Sequence, residues 1–238
     1  MSSAVAALRD GARARGLGLR VLVVVLAVPF AAPLAYLAVR NAEQGGVWST
    51  LTDDALLAPL GRSLLLATTV AAAAAVVGTA AAWLVMRTDL PGRRVIRLLL
   101  PLPLVLPSFI GAFALIAAFA PGGLLERVLS PLGVSGLPEV QGFAGAFTVL
   151  TLLTYPYVYL PVAARLRQLP PAMEESARLL GRGPAATFAT VVLPQARAAI
   201  AAGALLVFLY VLADFGAVQL LRYDTLTRAI FSNYLLDP

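Results

Sequence analysis

The stretch LPPAMEESARLLGRGPAATFATVVLP, residues 169–194, decides how this chain is read. Pro170 and Pro171 suit a first helical turn, where proline's missing N–H costs nothing. Glu174 and Glu175 suit the positive end of a helix dipole. Leu179 and Leu180 end an apolar side, and Gly181 is placed for a left-handed stop. Pro184 opens a second short helix. Phe188, Val191 and Val192 give it an apolar side, and Pro194 marks its end or a kink. Two short helices are expected. A short amphipathic helix of this kind lies on a membrane surface or docks into a groove on a partner. The adjacent glutamates disfavour an anionic lipid surface and favour a basic groove, but these residues alone leave both options open.

The stretch is flanked by apolar windows. Between Arg20 and Arg40 lie 19 uncharged residues, between Arg62 and Arg87 24, between Arg97 and Glu126 28, and between Glu139 and Arg165 25. Between Arg197 and Arg222 lie 24 residues with Asp214 as the one charge. A spanning helix needs about 20 largely apolar residues, and a bilayer core favours helices because it cannot satisfy open backbone groups. Five transmembrane helices are expected, near 20–39, 63–86, 97–119, 142–163 and 197–221. The chain reads as an all-α, polytopic membrane helical bundle. Residues 1–19 form a leader before the first helix, 20–39. That window also has the basic flank of a secretory signal, but its apolar run exceeds the usual length. An uncleaved helix is preferred.

Composition narrows the function. The 238 residues are 60% hydrophobic and 13% charged, against about 45–50% and 25% in soluble domains. Cysteine and histidine are absent, which removes thiolate and imidazole metal sites and Ser-His-Asp chemistry. All 18 basic residues are arginine, so a Walker A lysine cannot be supplied. The net charge of +6 reflects arginines beside apolar runs, a topological pattern, and nucleic-acid binding is disfavoured. Thirteen arginines fall on one side of the expected helices and five on the other. The positive-inside rule puts the amino terminus and residues 165–196 in the cytoplasm. The tail 222–238 then reads as a loop on the opposite side, cut off before a last helix.

Glu175-Ser176-Ala177, Gly181 after three residues, and Val191-x-Leu193-Pro194 after nine more resemble the EAA signature of ABC importer permeases, E-A-A-x3-G-x9-I-x-L-P. Ser176 and Val191 are the two departures. The resemblance implies a type I ABC importer permease (MetI-like) fold over residues 60–238, with a coupling loop at 165–196. It implies no catalysis and no cofactor bound by this chain, ATP being used by a separate cytoplasmic ABC ATPase dimer. Glu175 would pair with a basic group on that ATPase, Gly181 would allow the turn, and Leu193 and Pro194 would anchor the loop to the fifth helix. Other implied partners are a periplasmic or extracellular solute-binding protein, a second permease half, fused or separate, and membrane lipid. The implied location is the bacterial inner membrane.

Residues 98–113, with Pro101, Pro103 and Pro107, and residues 213–227 resemble ferric-iron-type permeases. Ferric iron is therefore the expected substrate, with thiamine or another small solute as alternative. An ion-coupled secondary transporter is disfavoured, because it would need several paired intramembrane charges.

Other residues carry competing readings. Asp214 either lines the substrate path or pairs with Arg222 or another helix. The three prolines are a hinge or a static kink. Tyr155, Tyr157 and Tyr159 are read first as an interfacial belt. The small residues of 67–82, Gly111 and Gly203 read as helix-packing positions.

Overall fold

Proline and glycine set where the helices stop. The computed structural model describes residues 23–25, 27–33, 35, 36, 38, 39, 54–133 and 136–235. The expected leader 1–19 lies outside the described residues. The chain divides into two units, 1–54 and 55–238. In the first, the described residues between 23 and 39 are helical and exposed.

Helix α1 spans Asp54–Arg87. At 34 residues it is about 50 Å long, ample to cross a bilayer. Its Leu66, Ala67, Val70 and Ala74 are fully buried, a stripe at helical spacing. A short helix α2, Arg93–Leu99, follows, then a 3-10 turn at Leu102–Val105 and α3 at Ser108–Phe119. After α4 (Leu124–Leu129) come α5, Gly142–Thr154, and α6, Pro156–Gln168. Together α5 and α6 make one apolar helix of 27 residues. The segment 171–213 contains α7 (Pro171–Leu179), α8 (Pro184–Thr187), a π-helical turn at Phe188–Val192, and α9 (Leu193–Ala213). Two further helices close the described chain, α10 (Gly216–Leu220) and α11 (Leu226–Leu235).

Among the described residues, three helices are long and apolar enough to cross a membrane: 56–87, 142–168 and 184–213. The expected helix at 97–119 is not straight. Its two parts, Arg93–Val105 and Ser108–Phe119, meet at 102°, and they count as a fourth span if taken together. The prolines are the cause. Leu106 and Pro107 are extended, with ψ of 122° and 144°, and Pro103 and Pro107 have no N–H to continue a helical ladder. The Leu104 N–H turns back to the Pro101 carbonyl at 3.1 Å. The Leu100 carbonyl is instead satisfied by the Tyr155 hydroxyl at 2.9 Å.

Backbones approach closely at the centre. A Cβ at Gly78 would stand 2.7 Å from the Tyr155 carbonyl oxygen and 2.8 Å from the Val158 Cβ. One at Gly203 would stand 2.7 Å from the Val158 Cα and 2.8 Å from the Tyr157 carbonyl oxygen. Helices α1 and α9 thus both press on the first turn of α6. A Cβ at Gly111 on α3 would meet Leu153 of α5 at 2.7 Å. Small residues here do the packing work the sequence assigns to them.

Four expectations need correction. The fifth span starts at Pro184, not 197, and ends at Ala213, not 221. The second half of residues 169–194 is therefore not a separate helix but the start of that span. Pro194 cannot donate to the carbonyl four residues back, and the widened π turn just before it accommodates the misfit. The tail is not a plain loop, because α11 forms at 226–235. Its first N–H, Leu226, is capped by the Ser63 hydroxyl of α1 at 2.8 Å, and Phe231 packs on Phe215 with ring centroids 4.7 Å apart. The three tyrosines are not a belt. Tyr159 is 1% exposed, Tyr155 serves the broken helix, and Tyr157 packs on Tyr210 of α9.

Candidate coupling site

The stretch 169–184 folds as its local signals direct. Pro170 is extended and α7 begins at the next residue. At the other end, Gly181 has φ +81°, a conformation costly for any side chain with a Cβ. The Gly181 N–H bonds the Arg178 carbonyl at 2.9 Å, and the Arg182 N–H bonds the Ala177 carbonyl at 3.1 Å. This pair of bonds is the Schellman closure of a helix. Pro184 then opens α8 at its first turn.

Helix α7 is amphipathic, but its large apolar residues point outward. Leu179 and Leu180 are 89% and 81% exposed, and Met173 is 42% exposed. Glu175, Ser176 and Arg178 are exposed as well, whereas Ala177 and Glu174 are buried. The Ser176 hydroxyl turns back to the Ala172 carbonyl at 2.8 Å. Of the remaining signature positions, Val191 is half-buried, while Leu193 and Pro194 are exposed. Leu193 and Pro194 begin α9, joined to the loop through the continuous helix. The result is a protruding helix with an apolar tip, Leu179 and Leu180, bordered by Glu175 and Arg178. That form suits insertion into a groove with apolar walls and a basic group.

A feature beneath this helix was not legible in the sequence. The Glu174 carboxylate pairs with the Arg87 guanidinium, Oε1 to Nε, at 2.9 Å. The two side chains are only 10% and 13% exposed. A second guanidinium nitrogen of Arg87 donates to the carbonyls of Leu166, at 2.7 Å, and Leu169, at 3.1 Å. Those carbonyls lie at the carboxyl end of α6, where helical partners run out. One arginine thus joins the end of α1, the end of α6 and the first turn of α7. Beside it is a cleft of about 220 Å³ lined by Arg87, Asp89, Arg93, Glu174, Glu175 and Arg178 among others. Of the two adjacent glutamates, the inner one is committed within the chain and the outer one, Glu175, is free to meet a partner.

Asp214 sits at the opposite end of α9 and is 8% exposed. It is not paired with Arg222. Its Oδ1 accepts the Ala217 N–H at 3.0 Å, which caps the first turn of α10, and Ser108 faces the same carboxylate. Its own carbonyl accepts the Thr227 hydroxyl at 2.8 Å. At the break between α2 and α3 lies a cavity of about 190 Å³, lined by residues 103–107, Leu153, Thr154, Tyr157 and Tyr210; Asp214 does not line it. Among the described residues no cluster of three metal-ligating Asp or Glu side chains occurs.

Residues 74–233 match the family described as binding-protein-dependent transport system inner membrane component. The chain is 32% identical over 221 residues to the Fe(3+)-transport system permease protein FbpB 2 of Haemophilus influenzae. That match covers 91% of this chain and 40% of the relative, so the chain spans less than half of that relative's length. It is 29% identical over 203 residues to the sulfate transport system permease protein CysT of Salmonella typhimurium, covering 85% and 72%. It is 32% identical over 165 residues to the molybdenum transport system permease protein ModB of Azotobacter vinelandii, covering 69% and 72%. Among solved structures, an amino acid ABC transporter chain superposes with a TM-score of 0.51 at 21% identity, covering 76% of this chain and 79% of that one. This last likeness concerns the fold.

Proposed function

The chain belongs to the family of binding-protein-dependent transport system inner membrane components, and from that premise we propose that it forms part of the path of an importer of ferric iron. It is a membrane transport subunit of the ABC importer type and not an enzyme. In this reading ATP is hydrolysed by a separate ATPase dimer, and α7 with the first turns of 184–194 is the segment that meets it. Glu175 pairs with a basic group of the ATPase, Leu179 and Leu180 fill its groove, and Gly181 holds the turn. Ala177 seats the helix against the bundle. A solute-binding protein delivers cargo on the far side, a second permease half completes the path, and the arginine-rich end, with the amino terminus, faces the cytoplasm. The observation that carries the coupling role is the outward apolar tip of α7. An exposed Leu-Leu pair next to a free glutamate has no use within the chain and an obvious one in a partner's groove.

Ferric iron is supported by the iron permease relative, whose match covers nearly the whole chain. A second reading, a tetrahedral oxyanion, is favoured by the sulfate and molybdenum permease relatives. The two are separated by uptake of radiolabelled ferric iron, sulfate and molybdate in cells expressing the permease with its ATPase and binding protein. Uptake of iron alone supports the first reading, and uptake of an oxyanion alone replaces it. The coupling role is tested by Glu175→Lys, which is expected to abolish co-purification of the ATPase or uncouple hydrolysis from uptake. A variant with full association and full uptake would remove Glu175 from the interface.

A further inference from the structure

We infer that Arg87 is a positioning residue that fastens the coupling helix α7 to the end of α1, so that α7 and the first core span move as one body during the transport cycle. The inference rests on the reading of α7 as the coupling helix and deepens it. Two observations support it. The Arg87–Glu174 pair is nearly buried, and its guanidinium also holds the Leu166 and Leu169 carbonyls. A nearly buried ion pair whose arginine also donates to two backbone carbonyls has fewer rotamers open to it than an exposed pair. One turn earlier on the same helix, Trp83 packs against Phe188 of the π turn, with ring centroids 5.0 Å apart. The end of α1 therefore touches both arms of the coupling loop, α7 through Arg87 and the entry to α9 through Trp83. A push on the tip of α7 would reach α1 through Arg87 and α9 through the backbone.

The chain has no cysteine, so spin labels can be placed without background. Labels at Leu84→Cys on α1 and Ala172→Cys on α7, both exposed, report the separation of the two helices. The sample is the permease assembled with its ATPase and binding protein in nanodiscs. A narrow distance distribution that stays the same with and without ATP is expected. Arg87→Gln and Glu174→Gln should broaden it, and cargo transported per ATP hydrolysed should fall about tenfold while hydrolysis continues. Because Arg87→Gln can also impair folding, Arg87→Lys and the exchange Arg87→Glu with Glu174→Arg are measured beside it. The exchange should recover part of the coupling but not all, because the two carbonyl bonds are lost. A distance that changes with ATP in the otherwise unaltered protein would overturn the inference. So would an Arg87→Gln protein that loses thermal stability yet transports the same amount per ATP. These results leave the ATPase-docking role of Glu175 standing. Failure of the ATPase to associate at all, with uptake intact, would remove both.

Discussion

Helix α1 carries an arginine near each end, and the two behave differently. Arg62 pairs with Asp224 at 3.4 Å, with side chains 43% and 57% exposed. Arg87 pairs with Glu174 at 2.9 Å, with side chains 13% and 10% exposed. The residues are chemically alike and share one helix, so burial and the number of additional hydrogen bonds make the difference. At the Arg62 end the helix is held mostly by neutral bonds, Ser63 to the Leu226 N–H and the Tyr223 hydroxyl to the Arg62 carbonyl. At the Arg87 end the charge is nearly out of water, lies in ion-pair contact with Glu174 and donates through a second nitrogen to two backbone carbonyls. Removing one partner of a buried pair leaves the other uncompensated, whereas an exposed pair returns its partner to solvent.

The largest effect should come from Arg87. Arg87→Gln is expected to destabilise the solubilised protein by about 3–5 kcal/mol, because Glu174 would be left nearly buried under α7 without its partner. Thermal unfolding in detergent measures this. Glu174→Gln should cost a similar amount, and the double variant should be less damaging than the sum of the two. Strict additivity would mean that the pair contributes nothing as a pair, and the contrast between the two ends of α1 would collapse.

Next in size is the packing of the helices at mid-bundle. Gly203→Val places a side chain where even a Cβ would lie 2.7 Å from backbone atoms of α6. Overpacking of this kind costs about 1–3 kcal/mol or more. Gly78→Val should act alike from the α1 side. Gly61→Val, on the same helix with nothing within 4 Å of its Cβ position, is the control and should be tolerated. A tolerated Gly203→Val would show that α9 and α6 are not in fixed register.

These contrasts also mark what could be read from the chain alone. The turn chemistry of 169–184 was legible, because Pro170, Gly181 and Pro184 act on their own neighbours. The spans at 56–87 and 142–168 were legible in outline as long apolar windows. Arg87–Glu174 was not, since the partners are far apart in sequence and joined only by the fold. The signature spacing singled out Glu175, but that Glu174 turns inward required knowing which face of α7 is inner. The usual guide, apolar side inward, points the wrong way here, as Leu179 and Leu180 are outside. The tyrosines were misread for a related reason. Tyr155 is needed where prolines free a carbonyl at Leu100, a demand that becomes visible only once the bent pair is seen. The end of the fifth span at Ala213 was hidden because an apolar window does not reveal that Asp214 will cap a new helix.

Asp214 gives a smaller effect with a sharper meaning. Asp214→Ala removes the acceptor for the Ala217 N–H and should cost about 1 kcal/mol, the value of a typical cap. Asp214→Asn keeps an oxygen acceptor and should be nearly neutral in stability. Uptake by Asp214→Asn then separates a cap from a path residue. Near-normal transport fits the capping role. Transport lost from a protein of normal stability would place the carboxylate charge on the cargo's route.

The smallest effect belongs to the other end of α1, and it completes the comparison. Arg62→Gln breaks a pair whose members are about half exposed, and Asp224 keeps Arg228 as a partner four residues on. The loss should be at most about 1 kcal/mol. It should also shrink as salt rises, since the Debye length falls to about 3 Å at 1 M. The Arg87→Gln penalty should change little over the same range, because its pair is shielded from solvent ions. Thermal midpoints of the parent protein and both variants at low and high salt test this directly. If the Arg62→Gln penalty were large and salt-insensitive, the far end of α1 would also be held by an effectively buried charge. The contrast in solvent access, and with it the reason for assigning transmission to one end of the helix, would then fail.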